Sequence, residues 1–313
     1  MTNGYRALRE SAALLDLTGR GLIRAVGEDR VRLLHAMTTN HIAQLTPGNG
    51  CYAFFLNAQG RILADVNVLC LAESLLLDTE AEARNRLYQH LDHFVIADDV
   101  QLEDCVEQHA VFGVEGPGAA AVLESAGAPV PEAACAHADW VGRLVVRGSA
   151  TGAAGYRIIS SAEEATAVRE QFLAAGAVAA TAEDARIARI ENGRPRYGED
   201  ITESSLPQET QLMHAINFNK GCYLGQEIVE RIRSRGHVNR LLVRLQIGGT
   251  EAPANGTKIE ADGAASGEIT SAVFSPALAK VVGMGYVRAD HAAAGKPLRA
   301  GDLDVEVLPL PPA

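Results

Sequence analysis

Cys222 lies between two glycines in the octapeptide Lys220–Glu227, KGCYLGQE, where its thiol has chemical reasons to react. Apolar residues at helical spacing follow, which predicts a helix that begins near Gly225. The unpaired amides and partial positive charge of a helix N-terminus, together with the Lys220 ammonium, favour thiolate over thiol. Cys222 and Lys220 are therefore our candidate catalytic residues. The residue types alone leave open a small, inert cysteine beside a turn.

Composition places the chain among ordinary globular proteins. It has 313 residues, 47% of them hydrophobic and 21% charged, which is enough for two or three cores. Five cysteines with no C-x-x-C pair argue against a disulfide framework and against a resident zinc or iron–sulfur site, so we expect no metal ligands. A net charge of −11 disfavours stable binding to nucleic acid or anionic membranes. Without a signal-peptide pattern or a membrane-length apolar run, we expect a cytoplasmic protein.

The elements that must position these groups follow from hydrophobic periodicity. The predicted strands span residues 21–26, 51–56, 61–71, 108–114, 143–147 and 155–160, and the predicted helices span 29–37, 80–95, 117–127, 162–175 and 181–191. This alternation predicts an α+β region over residues 1–240. Short alternating runs separated by Gly, Pro and Asn then predict a separate β-barrel over 241–313.

Two local signals place candidate side chains within these elements. Asn57–Gly60 reads as a tight turn, which makes the flanking strands a hairpin with Asp65 partway along one arm. Thr181–Asp184 fits a capping box, and the helix that it opens ends at Glu191 before Asn-Gly and Pro. We expect that helix to deliver Glu191 and Arg194 to a loop.

Three segments together resemble one known family: the octapeptide, Gly193–Ile201 and Leu206–Glu209. They resemble the YgfZ group, folate-binding relatives of the glycine-cleavage T-protein. Further matches run in the expected order over nearly the whole chain: Leu56–Arg61 with Asp65, Val114–Pro117 and Ser271–Pro276. The resemblance implies an α+β, T-protein-like ring of three domains, with two interleaved α+β domains around a central opening and a C-terminal β-barrel.

The chain also departs from the T-protein pattern. T-proteins usually carry T-G-E-x-G-Y-E, whereas Ala153 and Arg157 stand at its two acidic positions here. T-proteins show paired aspartates after the hairpin, whereas this chain has Ala64 followed by Asp65. We therefore expect the carboxylate that positions the reactive folate nitrogen to be missing, which argues against aminomethyl transfer but not against folate binding.

Tetrahydrofolate, the cofactor that the resemblance implies, presents pterin N–H donors, a flat aromatic centre and an acidic tail. These parts match carboxylates, tyrosine rings and guanidinium groups, and a charge-assisted hydrogen bond to a carboxylate contributes about 1.5–3 kcal/mol. Our candidate folate-binding residues are Asn57, Asp65, Glu191, Arg194, Tyr197, Tyr223, Gln226, Glu227 and Arg231.

Three functions remain open on the sequence. The resemblance favours a non-hydrolytic accessory protein that binds tetrahydrofolate and supports assembly or repair of iron–sulfur clusters in client enzymes, including tRNA-modifying enzymes, with Cys222 as the working thiol. The alternative is a folate-dependent aminomethyltransferase, other one-carbon transferase or demethylase that uses Asp65. A third is a cysteine-nucleophile enzyme in which His214 or His237 serves as the base.

Overall fold

The computed structural model of the chain describes residues 1–309, except for the side chain of Arg235. Its α-helices are α1 Asn3–Glu10, α2 Arg30–Met37, α3 Ala81–Phe94, α4 Ala119–Ser125, α5 Ala165–Ala174, α6 Ala182–Glu191 and α7 Gln226–Arg235. Short 3₁₀ helices span Ile42–Gln44, Ala162–Glu164, Pro207–Thr210, Met213–Ala215 and Ala289–His291. Within residues 1–309, no helix has both the length and the apolar character that crossing a membrane requires.

The strands form three sheets. In chain order they are β1 Ala13–Asp16, β2 Gly21–Val26, β3 Gly50–Leu56, β4 Ile62–Cys70, β5 Leu75–Thr79, β6 Gln101–Asp104, β7 His109–Glu115, β8 His137–Trp140, β9 Arg143–Arg147, β10 Gly155–Ser161, β11 Val178–Ala180, β12 Arg240–Ile247, β13 Lys258–Ala261, β14 Ala264–Ser275, β15 Lys280–Arg288, β16 Pro297–Ala300 and β17 Leu303–Leu308.

The first α+β domain is built on a five-stranded sheet with the order β3-β4-β5-β2-β6. Its strands pair antiparallel, and β3 and β4 form the hairpin predicted around Asn57–Gly60. One face of β4 buries alternate apolar residues, including Ala64 and Val66, in a core shared with Leu87 of α3. The opposite face of β4 is thereby free to carry polar side chains.

The second α+β domain is interleaved with the first in the sequence. Its sheet has the order β11-β1-β7-β10-β9-β8, so β1 precedes the first sheet in the chain while the other five strands follow it. Its core includes Phe112 of β7 and Phe172 of α5, whose ring packs against that of Trp140. The predicted pair of interleaved α+β domains is confirmed.

A closed barrel of six strands completes the fold. The order β12-β15-β14-β13-β16-β17 closes because β17 pairs antiparallel with β12. Inward-facing residues such as Leu245, Ile259 and Val287 fill its interior. The predicted C-terminal β-barrel is confirmed, and its first strand begins at Arg240.

Glu191, at the end of α6, fastens the N-terminal helix to the barrel. Its buried carboxylate accepts hydrogen bonds from Tyr5 and Arg9 of α1, each at 2.5 Å, and from Ser275 of β14. The segment that follows α6 is therefore held at a fixed position between the α+β domains and the barrel.

Candidate functional site

A cavity of about 850 Å³ lies where the two α+β domains and α6 meet. Tyr52 of β3 and Asp65 of β4 line it from the first sheet, and Arg157 of β10 lines it from the second. Arg189 of α6 and Arg194 of the segment that follows it also line the cavity. Its size and its position between domains are typical of a site for an organic ligand.

Asp65 faces this cavity because of its position in β4. Ala64 and Val66, on either side of it, point into the apolar core, so strand alternation turns Asp65 and Asn67 to the cavity face. In the hairpin, Tyr52 pairs with Asn67 and lies diagonally from Asp65. The Tyr52 hydroxyl donates a hydrogen bond of 2.8 Å to Oδ2 of Asp65.

The second carboxylate oxygen of Asp65 has an unmet hydrogen-bonding capacity. Oδ1 is buried, and it has no hydrogen-bond partner among residues 1–309. Burial, followed by the charge of Glu80, raises the pKa of Asp65, although Tyr52, Arg20 and Arg194 act in the opposite direction. A buried acceptor without a donor costs about 1–3 kcal/mol, so an N–H group from a ligand would relieve this cost.

Most guanidinium groups that line the cavity are neutralised by carboxylates. The pairs are Arg20 with Asp78 at 2.7 Å, Arg196 with Glu80 at 3.0 Å, Arg186 with Glu199 at 2.6 Å, Arg189 with Asp200 at 2.5 Å, and Arg157 with Asp78. Burial opposes ionisation of Glu80, but the charges of Arg20 and Arg196 outweigh it and lower its pKa to about 2. Arg194 differs, because the ion pairs found within residues 1–309 do not include it.

The departures from the T-protein pattern have different consequences for the cavity. Arg157 is 3% exposed and contributes a buried cation to the wall, where an acid was expected from the pattern. Ala64 lies in the core on the opposite face of β4 from Asp65. The cavity-facing position of β4 is therefore held by the carboxylate of Asp65. The expected loss of the carboxylate that positions the folate nitrogen stays a prediction.

The octapeptide forms a loop outside the lining of this cavity. Cys222 is exposed, and α7 begins at Gln226, as the sequence predicts. Gly225 adopts a positive φ of +80°, and a Cβ there would lie 2.5 Å from the backbone oxygen of Asn57. Only glycine lets this loop pack so closely on the β3–β4 hairpin.

Lys220 fixes this loop to α2. Its side chain is 5% exposed, and the ammonium donates hydrogen bonds to the backbone oxygens of His35 and Thr38, the latter at 2.7 Å. The same ammonium lies 4.8 Å from the centre of the Tyr223 ring. Burial lowers the pKa of Lys220 to about 8. Its hydrogen bonds thus satisfy carbonyls at the C-terminal end of α2 rather than a ligand.

Four other predicted folate-binding residues hold local structure together. Tyr223 and Tyr197 are buried in the core of the first domain, and the Tyr197 hydroxyl accepts a hydrogen bond from Arg86. Gln226 accepts a hydrogen bond from the backbone N–H of Tyr223. The side chain of Asn57 accepts two backbone hydrogen bonds, each of 3.0 Å, within its own turn.

Glu227 and Arg231 form an exposed i,i+4 ion pair on α7, with an N–O distance of 2.8 Å. Together with Glu191 at the α1–barrel junction, they lie outside the cavity lining. Of the nine residues predicted to bind folate, the structure brings Asp65 and Arg194 to the cavity.

The sequence contained a signal for one residue that we did not predict. Pairing the arms of the hairpin around Asn57–Gly60 sets Tyr52 opposite Asn67, within reach of Asp65. By contrast, Arg20 and Glu80 reach the cavity through contacts between strands far apart in sequence. No local pattern marks such contacts.

The two parts of the sequence match two known domain families. Residues 1–220 match the GCVT N-terminal domain, and residues 240–311 match the glycine cleavage T-protein C-terminal barrel domain. A crystal structure of the glycine cleavage system aminomethyltransferase T from Bartonella henselae has the same fold, with a TM-score of 0.88 and 24% identity, over 98% of this chain and 88% of that one.

Similar curated proteins cover nearly the whole chain. An aminomethyltransferase of Geobacillus kaustophilus is 30% identical over 98% of this chain and 88% of that protein. One from Rubrobacter xylanophilus is 26% identical over 98% and 84%, respectively. A putative chloroplastic transferase of Arabidopsis thaliana is 25% identical over 95% and 70%. With both domain matches in the expected order, the chain belongs to the glycine cleavage T-protein family.

Proposed function

We propose that this chain binds tetrahydrofolate in the cavity around Asp65 and acts as a folate-dependent one-carbon transferase. The observation that carries the proposal is that Asp65 lines the cavity and that its buried Oδ1 has no hydrogen-bond donor among the described residues. Relatives named aminomethyltransferase, which match almost the full chain, support the same function.

The residues present fit a reduced pterin. Its ring carries N–H groups that can donate to a carboxylate, and bound tetrahydrofolate would supply nitrogen atoms that carry a one-carbon unit. Tyr52 donates its hydrogen bond to Oδ2 of Asp65, which leaves Oδ1 available to a donor from the ligand. A carboxyl group with a raised pKa is also suited to accept a proton from a ring nitrogen.

The test compares Asp65→Asn with a matched control, Asp302→Asn, which changes an exposed aspartate on the barrel. Tetrahydrofolate binding is measured anaerobically by calorimetry. We expect Asp65→Asn to weaken binding about 10- to 100-fold, because a charge-assisted hydrogen bond of about 1.5–3 kcal/mol is lost. Asp302→Asn should bind like the wild type. Equal affinity of both variants, or no saturable binding by the wild type, would reject the proposal.

The transfer reaction has its own readout. Wild-type protein supplied with tetrahydrofolate and an aminomethylated carrier should form methylenetetrahydrofolate, with release of ammonia and the free carrier. The product is detected by mass spectrometry, and Asp65→Asn should form at least tenfold less. Folate binding without any product would separate the binding proposal from the transferase proposal.

A second function is favoured by the exposed position of Cys222. In this hypothesis the chain, as a YgfZ-like protein, binds folate and supports iron–sulfur clusters in client enzymes, including tRNA-modifying ones, with Cys222 as the working thiol. The loop presents Cys222 to solvent, where a large partner can reach it, while Lys220 holds the loop in place. Such access suits a thiol that acts on another protein.

The two functions separate in a rescue assay. In a strain that lacks its own copy of the gene, we compare wild type, Cys222→Ser and Asp65→Asn for iron–sulfur enzyme activity. Loss of rescue by Cys222→Ser with unchanged folate affinity supports the accessory function. Full rescue by Cys222→Ser removes the thiol from the mechanism.

A further inference from the structure

A second cavity, of about 380 Å³, adjoins the first and opens towards the barrel. The two cavities share Tyr52, Arg194 and Pro195 in their linings. The second is completed by the loop around Gln211 and by β12, which contributes Arg244. A ligand in the first cavity can therefore meet a group held in the second one.

The second cavity carries positive charge without compensation. Within residues 1–309, its lining includes Arg194 and Arg244 but neither aspartate nor glutamate. Arg244 donates hydrogen bonds to the backbone oxygens of Glu191 and Pro309, at 2.6 and 3.1 Å, and these carbonyls carry no formal charge. The carboxylate of Glu191 is instead occupied by α1 and the barrel.

The backbone around the second cavity is shaped to accommodate both arginines. Gly193 has a φ of +64°, and a Cβ there would lie 2.7 Å from Cγ of Arg244. Gly152 has a φ of +82°, and a Cβ there would lie 3.3 Å from Cβ of Arg194. A side chain at Gly193 would displace the Arg244 side chain, and one at Gly152 would crowd the base of the Arg194 side chain, so the two glycines leave room for both arginines.

We propose that the second cavity is a carboxylate-binding site in which Arg194 and Arg244 hold the anion. Guanidinium groups bind carboxylates through forked, charge-assisted hydrogen bonds. The carboxylate has two chemical sources. One is the glutamate tail of the folate, an assignment that rests on the proposed function, and the other is a separate small amino acid bound beside it.

The experiment uses the full-length protein, anaerobic calorimetry and four probes. These are tetrahydrofolate with one glutamate, tetrahydrofolate with three glutamates, 6-methyltetrahydropterin, which has no tail, and L-glutamate added to protein saturated with 6-methyltetrahydropterin. Arg244→Gln removes the charge, and Arg244→Lys keeps it. Arg299→Gln is the matched control, because Arg299 is an exposed barrel arginine that pairs with Asp304.

If the glutamate tail is the ligand, Arg244→Gln lowers the affinity for both folates about tenfold and that for 6-methyltetrahydropterin less than twofold. If a separate amino acid is the ligand, L-glutamate binds the wild type, and Arg244→Gln reduces that affinity about tenfold. In either case Arg244→Lys recovers part of the affinity, Arg299→Gln has no effect, and binding weakens as salt increases.

The proposal is overturned if Arg244→Gln binds both folates like the wild type and L-glutamate binds neither protein. That result leaves the folate function standing wherever Asp65→Asn still weakens binding. Conversely, the protein could bind none of the pterin probes and yet bind L-glutamate, added on its own, in a way that depends on Arg244. That result rejects the folate function and supports the carboxylate site.

Discussion

The cavity and the octapeptide loop each contain a buried ionisable group, and the two groups are satisfied very differently. Asp65 lines the cavity. One of its carboxylate oxygens accepts a hydrogen bond from Tyr52, and the other has no donor among residues 1–309. Lys220 donates to two backbone carbonyls and lies over the ring of Tyr223. A buried polar atom is normally paired. Oδ1 of Asp65 is one of seven buried side-chain atoms without a partner within residues 1–309, and Asp65 and Arg157 are the two of these residues that line the cavity, which points to a ligand there.

This difference assigns separate roles to the two regions. The unpaired oxygen of Asp65 makes the cavity a candidate binding region, whereas the Lys220 ammonium already donates hydrogen bonds to backbone carbonyls of the fold. Lys220 fixes the loop that presents the Cys222 thiol. The loop holds Cys222 at the surface, outside the cavity lining. Chemistry inside the cavity therefore has to use residues other than those of the octapeptide.

The largest expected effect tests how tightly the loop is packed. Gly225→Ala places a Cβ at a positive φ and 2.5 Å from the oxygen of Asn57, which we expect to cost about 2–5 kcal/mol. Gly221→Ala is the matched control, since Gly221 has a φ of +90° but nothing within 4 Å of its Cβ position. It should cost about 1–2 kcal/mol. Urea unfolding measures both, and equal costs would contradict the close packing.

Lys220 provides a pH test of its structural role. Its pKa is lowered from 10.5 to about 8, so between these values the unfolded chain retains a proton that the folded chain releases. Stability linked to Lys220 therefore rises with pH across this window, by about 2–3 kcal/mol. We expect wild type to gain this stability relative to Lys220→Met in urea unfolding between pH 7 and 10.

The control for this pH test is Lys258→Met, which removes an exposed lysine of the barrel. Its unfolding free energy should follow that of the wild type at every pH. If the unfolding free energies of wild type and Lys220→Met changed with pH in parallel, burial would not lower the pKa of Lys220. The contrast between Lys220 and Asp65 would then fail.

Much of the fold follows from local patterns in the sequence. The strands at Gly21–Val26 and Arg143–Arg147 have the predicted bounds, and the capping box at Thr181–Asp184 forms with both of its hydrogen bonds. Helix α1 and the four-residue strand β1 were not predicted. β1 is too short for a clear periodicity, and its place in the second sheet depends on pairing with β7, about a hundred residues away.

The candidate site likewise contains features that local patterns predict and features that depend on contacts between distant residues. The hairpin predicted with Asp65 partway along one arm forms, and its arm β4 turns Asp65 to the cavity. The octapeptide suggested that Lys220 would act on Cys222, but the ammonium is engaged by carbonyls of α2, some 180 residues earlier in the chain. Contacts of this kind depend on how domains pack, which composition and spacing do not encode.

A smaller effect tests whether Asp65 is costly to keep without a ligand. Its raised pKa means that the folded chain holds the proton more tightly than the unfolded chain, so stability linked to Asp65 falls as pH rises through this range. Above this range Asp65 therefore lowers the stability of the ligand-free protein. Asp65→Asn should therefore raise its melting temperature by about 1–3 °C while weakening folate binding. Calorimetry that shows a lower melting temperature would contradict this.

The smallest effect concerns the exposed ion pair on α7, which extends the octapeptide region. Arg231→Ala removes a partner of Glu227, and both side chains are well over half exposed. Exposed i,i+4 pairs contribute only about 0.3–0.5 kcal/mol, so the unfolding free energy should fall by no more than that. Because Arg231 lies outside the cavity lining, tetrahydrofolate affinity should change less than twofold, in contrast to Asp65→Asn. A tenfold loss of affinity would show that the folate site extends from the cavity to α7, and it would join the two regions that the structure separates.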